Sequence, residues 1–150
     1  MRVLVDTNVF LDYILNRPPF QHECRDFFAY FLSHKHQIVA SAMSFRDIEY
    51  MLRKVERDPN QRKKTLHTIY STVYKIIDIC PDDVINCLFA NYKDFEDGLL
   101  MESAERAFLD GIVTNNITDF RDSPIPVYAP GQIVEYLKKN EGASRPNNLQ

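Results

Sequence analysis

The sequence predicts an α/β fold, a three-layer sandwich with a mostly parallel central sheet between helices. Three observations carry this. Short apolar runs alternate with stretches of helical periodicity along the chain. The runs are continuous rather than alternating, as in strands covered on both faces. The chain has 150 residues, 45% of them hydrophobic and 26% charged, which is the size and balance of one globular domain.

Residues 2–5 are a β-branched run that stops at Asp6 and reads as a buried first strand. Residues 9–15 read as a short helix stopped by Pro18 and Pro19. Over residues 22–34, Cys24, Phe27, Phe28, Phe31 and Leu32 form the stripe of a core-facing helix. Tyr30 lies off that stripe and is expected to face a partner. Residues 37–41 are a second strand. Residues 44–55 form a helix with Phe45, Ile48, Leu52 and Val55 on one side, and 60–74 another after the breaker Asp58–Pro59. Residues 75–79 read as strand and 82–89 as a short helix following Pro81. Residues 95–109 form a longer helix with Phe95, Leu99, Leu100, Ala107 and Phe108 inward. Strands at 112–114 and 126–128 follow. Pro130 suits the first turn of a last helix, 130–139. The expected division is one domain over 1–139 and a flexible tail over 140–150.

Composition excludes several classes. The formal charge of -3 argues against a uniformly basic nucleic-acid binder. Four glycines leave no glycine-rich phosphate loop or dinucleotide fingerprint. Cys24, Cys80 and Cys87 are odd in number and without zinc spacing, and read as reduced residues of a cytoplasmic protein. His34 and His36 belong to a solvated turn. No apolar run reaches membrane-span length, and Asp6 and Asp12 break the apolar start that would otherwise suggest a signal peptide.

Four acids stand where a parallel sheet gathers ligand-binding residues, beyond the carboxyl ends of its strands. Asp6 follows the first strand. Asp47 lies early in the helix after the second. Asp97 opens the helix near Phe95, beside Asp94 and Glu96. Asp119 follows the strand at 112–114. Taken singly, each reads as a helix cap or a dipole-matched acid: Ser44 with Asp47, Asp94 with Asp97, and Thr7 or Asn8 for the first helix. Taken together at one edge they repel, and a hard divalent cation bound by oxygen offsets this. Thr7, Asn8, Asp94 and Asn115 are supporting polar residues around that edge.

The segments V-L-V-D-T-N-V-F-L-D-Y (3–13), S-A-M-S-F-R-D-I (41–48), D-F-E-D-G-L-L (94–100) and T-N-N-I-T-D-F (114–120) resemble, in order, the four motifs of PIN-domain proteins. S-P-I-P-V-Y-A-P (123–130) is similar to the family's last extended stretch, so the resemblance spans residues 1–138. It implies a PIN-like fold and a ribonuclease dependent on Mg²⁺ or Mn²⁺. Asp6, Asp47, Asp97 and Asp119 take the catalytic acid positions, with Asp6, Asp97 and Asp119 as metal ligands. A metal-activated water would then cleave an RNA phosphodiester bond. Many members are VapC-type toxins paired with a small antitoxin, and many are homodimers. Relatives often carry Glu at the second acid. Here Asp47 and Glu49 both offer themselves, about 200° apart around a helix, and Asp47 is nearer the strand end. Gly98 and Glu102 also depart from the pattern, and Glu102 is expected to face solvent.

Arg53, Lys54, Arg57, Arg62, Lys63 and Lys64 outnumber Glu56 and Asp58, a local balance of +4 that leaves -7 for the rest. This stretch is the expected RNA-binding surface, set against a merely solvated helix face. Two further readings compete with a ribonuclease. A phosphatase using Asp6 as nucleophile lacks the second acid two positions on, where Asn8 stands. A catalytically silent PIN-like module would bind RNA or protein without cutting.

Overall fold

The computed structural model describes residues 1–143. Five parallel strands form one sheet: β1 (Arg2–Val5), β2 (Gln37–Ser41), β3 (Lys75–Ile77), β4 (Gly111–Val113) and β5 (Val127–Tyr128), in the order β3-β2-β1-β4-β5. The helices are α1 (Thr7–Ile14), α2 (Gln21–Ser33), α3 (Ala42–Leu52), α4 (Pro59–Thr72), α5 (Pro81–Phe89), α6 (Phe95–Arg106) and α7 (Pro130–Ala143). A 3-10 turn, Ile117–Phe120, follows β4.

β1 is the central strand, and its apolar run is continuous because both faces are covered. Val3 and Val5 enter one core with Val9, Phe27, Phe31, Ile48 and Ile133, from α1, α2, α3 and α7. Leu4 points the other way, into a second core with Val39, Leu100, Met101 and Ile112. Side chains alternate across a strand, so one four-residue strand holds the two layers together. Each such fully buried side chain contributes about 1.5–3 kcal/mol. The backbone N–H of Asp6 continues the ladder onto the Val113 carbonyl at 2.9 Å. The first acid is therefore held at the edge where β1 and β4 end.

Several expectations change where helices stop earlier than their apolar pattern. α3 ends at Leu52, leaving Val55 in the following turn and exposed. α6 ends at Arg106, and Phe108 adopts a left-handed φ of 51° in the turn that follows, with its ring 83% exposed. Phe95 and Leu32 are also exposed. Tyr30 does not face outward: it is buried, stacks on His34 and donates to Glu141 at 2.7 Å. Glu141 also meets His36 at 3.3 Å, so α7 is held well past residue 139. Residues 144–150 of the expected tail lie outside the described residues. Glu102 does not face solvent either, being buried and accepting from the Tyr92 hydroxyl at 2.6 Å. All three cysteines are free thiols.

Candidate active site

The acids gather at the carboxyl edge of the sheet, each brought by a different element. Asp6 occupies the cap position of α1 in extended backbone yet makes no side-chain cap bond. Its carboxylate turns instead to other side chains. Asn8 Nδ2 and Thr114 Oγ1 both donate to its Oδ2, at 2.7 and 2.8 Å. Asn8 Nδ2 also reaches Thr114 Oγ1 at 3.1 Å. Burial pushes Asp6 up to about 6, against the hydrogen bond from Thr114. Thr7 is the first helical residue and caps nothing.

Asp94 caps α6, accepting from the backbone N–H of Glu96 at 2.8 Å and of Asp97 at 3.1 Å. This frees the Asp97 side chain for the site. Burial first, then the charges of Asp6, Asp94, Asp119 and Glu96, push Asp97 up to about 7. Asp97 thus senses both Asp6 and Asp119 and is the electrostatic centre of the group. Asp119 lies in the 3-10 turn, where Lys93 pairs with its carboxylate.

Asp47 is not a cap, because Ser41 takes that role at α3 by accepting from Met43 N–H at 3.2 Å. Asp47 pairs with Arg46 at 2.6 Å and faces Glu96. Burial, then the charge of Asp47 and a hydrogen bond to it, raise Glu96 above its usual range. Asp47 therefore joins the site through Glu96 rather than among the leading charges on Asp97. Glu49 points elsewhere, to Arg53 at 2.7 Å and Arg62 at 3.2 Å, and Arg53 beside it is the main cause of its lowered pKa. The roughly 200° between the two positions is thus realised as two different surroundings.

Of the basic stretch, Arg62 is largely consumed internally. It donates to Glu49 and to the Glu56 and Arg57 carbonyls, with its side chain only 14% exposed. Arg53 is paired with Glu49, and Lys54 lies 4.9 Å over the Tyr50 ring. Arg57, Lys63 and Lys64 are exposed.

Three participants escape a reading by motif: Thr114, Lys93 and Glu96. Thr114 precedes the two asparagines of its motif, and a hydroxyl next to two amides was the available signal. Glu96 and Lys93 matter only through contacts across elements, which spacing does not display.

The donor set is oxygen throughout, with no Cys or His among these side chains. Burial raises the pKa of two of its acids, Asp6 and Asp97, and neighbouring carboxylates add to the shift at Asp97. That chemistry fits a hard cation such as Mg²⁺ or Mn²⁺ rather than zinc. Among the described residues, no three His, Cys, Asp or Glu side chains are already drawn together into a cage for an ion. No described helix is long and apolar enough to cross a membrane.

Similar folds occur in toxin–antitoxin complexes. VapBC2 from Rickettsia felis, solved bound to a DNA fragment from its promoter, aligns with a TM-score of 0.65 and 18% identity. The alignment covers 86% of this chain and 98% of that one. A toxin–antitoxin complex from Klebsiella pneumoniae gives 0.63 and 23%, over 85% and 97%. FitAB bound to the IR36 DNA fragment gives 0.70 and 14%, over 88% and 96%. No curated protein matches the sequence. At these identities the structural likeness speaks for the fold. The sequence itself matches the model of the PIN domain over residues 2–118, and this chain belongs to the PIN-domain family.

Proposed function

We propose that the chain is a metal-dependent endoribonuclease, the toxin of a toxin–antitoxin pair. The observation that carries the reading is the setting of Asp97, which burial first and then the charges of Asp6, Asp94, Asp119 and Glu96 push up to about 7. A divalent ion held among these acids relieves that state. Asp6, Asp97 and Asp119 would hold Mg²⁺ or Mn²⁺, with Asp47 acting alongside through Glu96. A bound ion supplies an activated water and a counter-charge for the attacked phosphate. The chain's own part is to hold the acids in place. Asn8 and Thr114 fix the rotation of the Asp6 carboxylate, and the Asp94 cap fixes the first turn carrying Asp97. Arg57, Lys63 and Lys64 would meet the RNA backbone, together with those of Arg53 and Lys54 that RNA can recruit. The toxin–antitoxin complex among the neighbours supports a small antitoxin as partner; a homodimer and a cytoplasmic setting complete the proposal.

Incubating the protein with single-stranded RNA, with a chelator and then with Mn²⁺ added back, tests this. Cleavage that appears with metal, vanishes with chelator and is lost in Asp6→Asn supports the enzyme. RNA binding with no metal-dependent cleavage would instead support a silent PIN-like module. That second reading draws on the carboxylates not being preassembled.

A further inference from the structure

We infer that Asp12, paired with Arg17, is a positioning residue for the carboxylate site, acting through Asn115 and Asn8 on Asp6; this rests on the reading of Asp6 as a metal-holding acid. Asp12 lies on α1 among Val9, Phe10 and Leu11 and is 5% exposed. An acid in such surroundings is costly to desolvate unless it is fully paired. An apolar residue would serve the core better, so the position calls for another account.

Both carboxylate oxygens are used. Oδ1 accepts from Arg17 Nε at 2.7 Å, and Oδ2 accepts from Asn115 Nδ2 at 2.7 Å. A carboxylate only accepts, so it dictates which end of the Asn115 amide faces it. The Cys24 thiol, 3.5 Å from the same Nδ2, adds a weak second contact. Holding the Asn115 side chain fixes where its backbone sits. The Asn115 backbone N–H donates to Asn8 Oδ1 at 3.2 Å, which leaves the Asn8 NH₂ to face Asp6. That NH₂ donates to Asp6 Oδ2 at 2.7 Å. The result is a chain of contacts from Arg17 to Asp6 that links α1 to the segment after β4 and acts by fixing the position of the Asn115 backbone. Such outer partners orient metal-holding groups and tune their affinity.

Mn²⁺ binding to the full chain at pH 7.5, read by the electron paramagnetic resonance of free Mn²⁺ without RNA, tests the inference. Asp12→Asn and Asn115→Ala should each weaken binding about 10-fold, the lower end for outer-shell changes. The double variant should be no weaker than either single one, since both cut one path. Asn115→Ala keeps the Asp12–Arg17 pair and covers the case in which Asp12→Asn fails to fold. Unchanged Mn²⁺ affinity in Asn115→Ala, or in a folded Asp12→Asn with only its melting temperature lowered, would overturn the positioning role. Asp6→Asn separates the two claims. If it abolishes binding while the Asp12 and Asn115 variants bind normally, only the positioning inference fails. If it binds Mn²⁺ normally, the metal reading itself fails and the inference with it.

Discussion

Asp97 shows how a single side chain can oppose the fold that carries it. Its folded-state pKa of about 7 and that of Asp6, about 6, stand above the 3.8 of a free carboxyl. The folded chain therefore binds more protons than the unfolded one between about pH 4 and 7, so metal-free stability falls as pH rises through that window. Asp97→Asn removes the charge while keeping the shape. It should stabilise the chelator-treated protein by about 1–2 kcal/mol at pH 7.5, allowing for partial solvent screening, and by nearly nothing at pH 4.5. Urea denaturation at the two pH values measures this. A variant no more stable than the parent at pH 7.5 would contradict the raised folded-state pKa of Asp97. At this scale Asp6 was legible because it interrupts an apolar run, and Asp97 because it opens the helix near Phe95 within a motif-like segment. Glu102 was not, since its burial depends on the hydroxyl of Tyr92, ten residues away.

At the scale of elements, the basic stretch divides into two parts that sequence alone presents as one. Lys63 and Lys64 are exposed cations on α4, whereas Arg62 clamps the α3–α4 turn through Glu49 and two carbonyls. Replacing Lys63 and Lys64 with Gln should weaken RNA binding and flatten its salt dependence by about 0.7 in log–log slope for each phosphate no longer neutralised. Arg62→Gln should instead cost about 1–2 kcal/mol of stability, by the loss of partly buried hydrogen bonds, with less effect on the slope. Titrations of fluorescent RNA at several salt concentrations distinguish the two; an unaltered slope in the lysine variant would assign those residues to a solvated face. The packing of α5 on α6 offers another test. A Cβ on Gly98 would lie 2.5 Å from Cys87 Sγ and 2.7 Å from Tyr92 Cδ2. Gly98→Ala should therefore destabilise the protein by about 1–3 kcal/mol through overpacking, seen as a lower denaturation midpoint. The succession of strands and helices along the chain was readable from periodicity. Helix ends were not: Val55 and Phe108 continue an apolar pattern past the point where the backbone turns.

For the molecule as a whole, a net charge of -3 conceals a separation. Acids gather where β1 and β4 end, and a +4 stretch follows α3. An electronegative site in a chain with a separate basic stretch suits an anionic substrate only when a cation occupies the acids. The fold class was readable because continuous apolar runs between helices leave few alternatives to a covered parallel sheet. The site was readable as four acids in order, but its internal wiring was not. The Asp12–Asn115–Asn8 path and the Lys93–Asp119 pair depend on contacts between residues as much as 107 positions apart. The central claim is that Asp6, Asp97 and Asp119 act as one cation site. The melting temperature of the parent protein and of Asp6→Asn/Asp97→Asn, followed across a Mn²⁺ titration at pH 7.5, tests it most directly. The parent should gain about 2.7 kcal/mol of stability at 100 times the dissociation constant, while the double variant gains almost none. Equal gains in both proteins, or no gain in the parent, would contradict it.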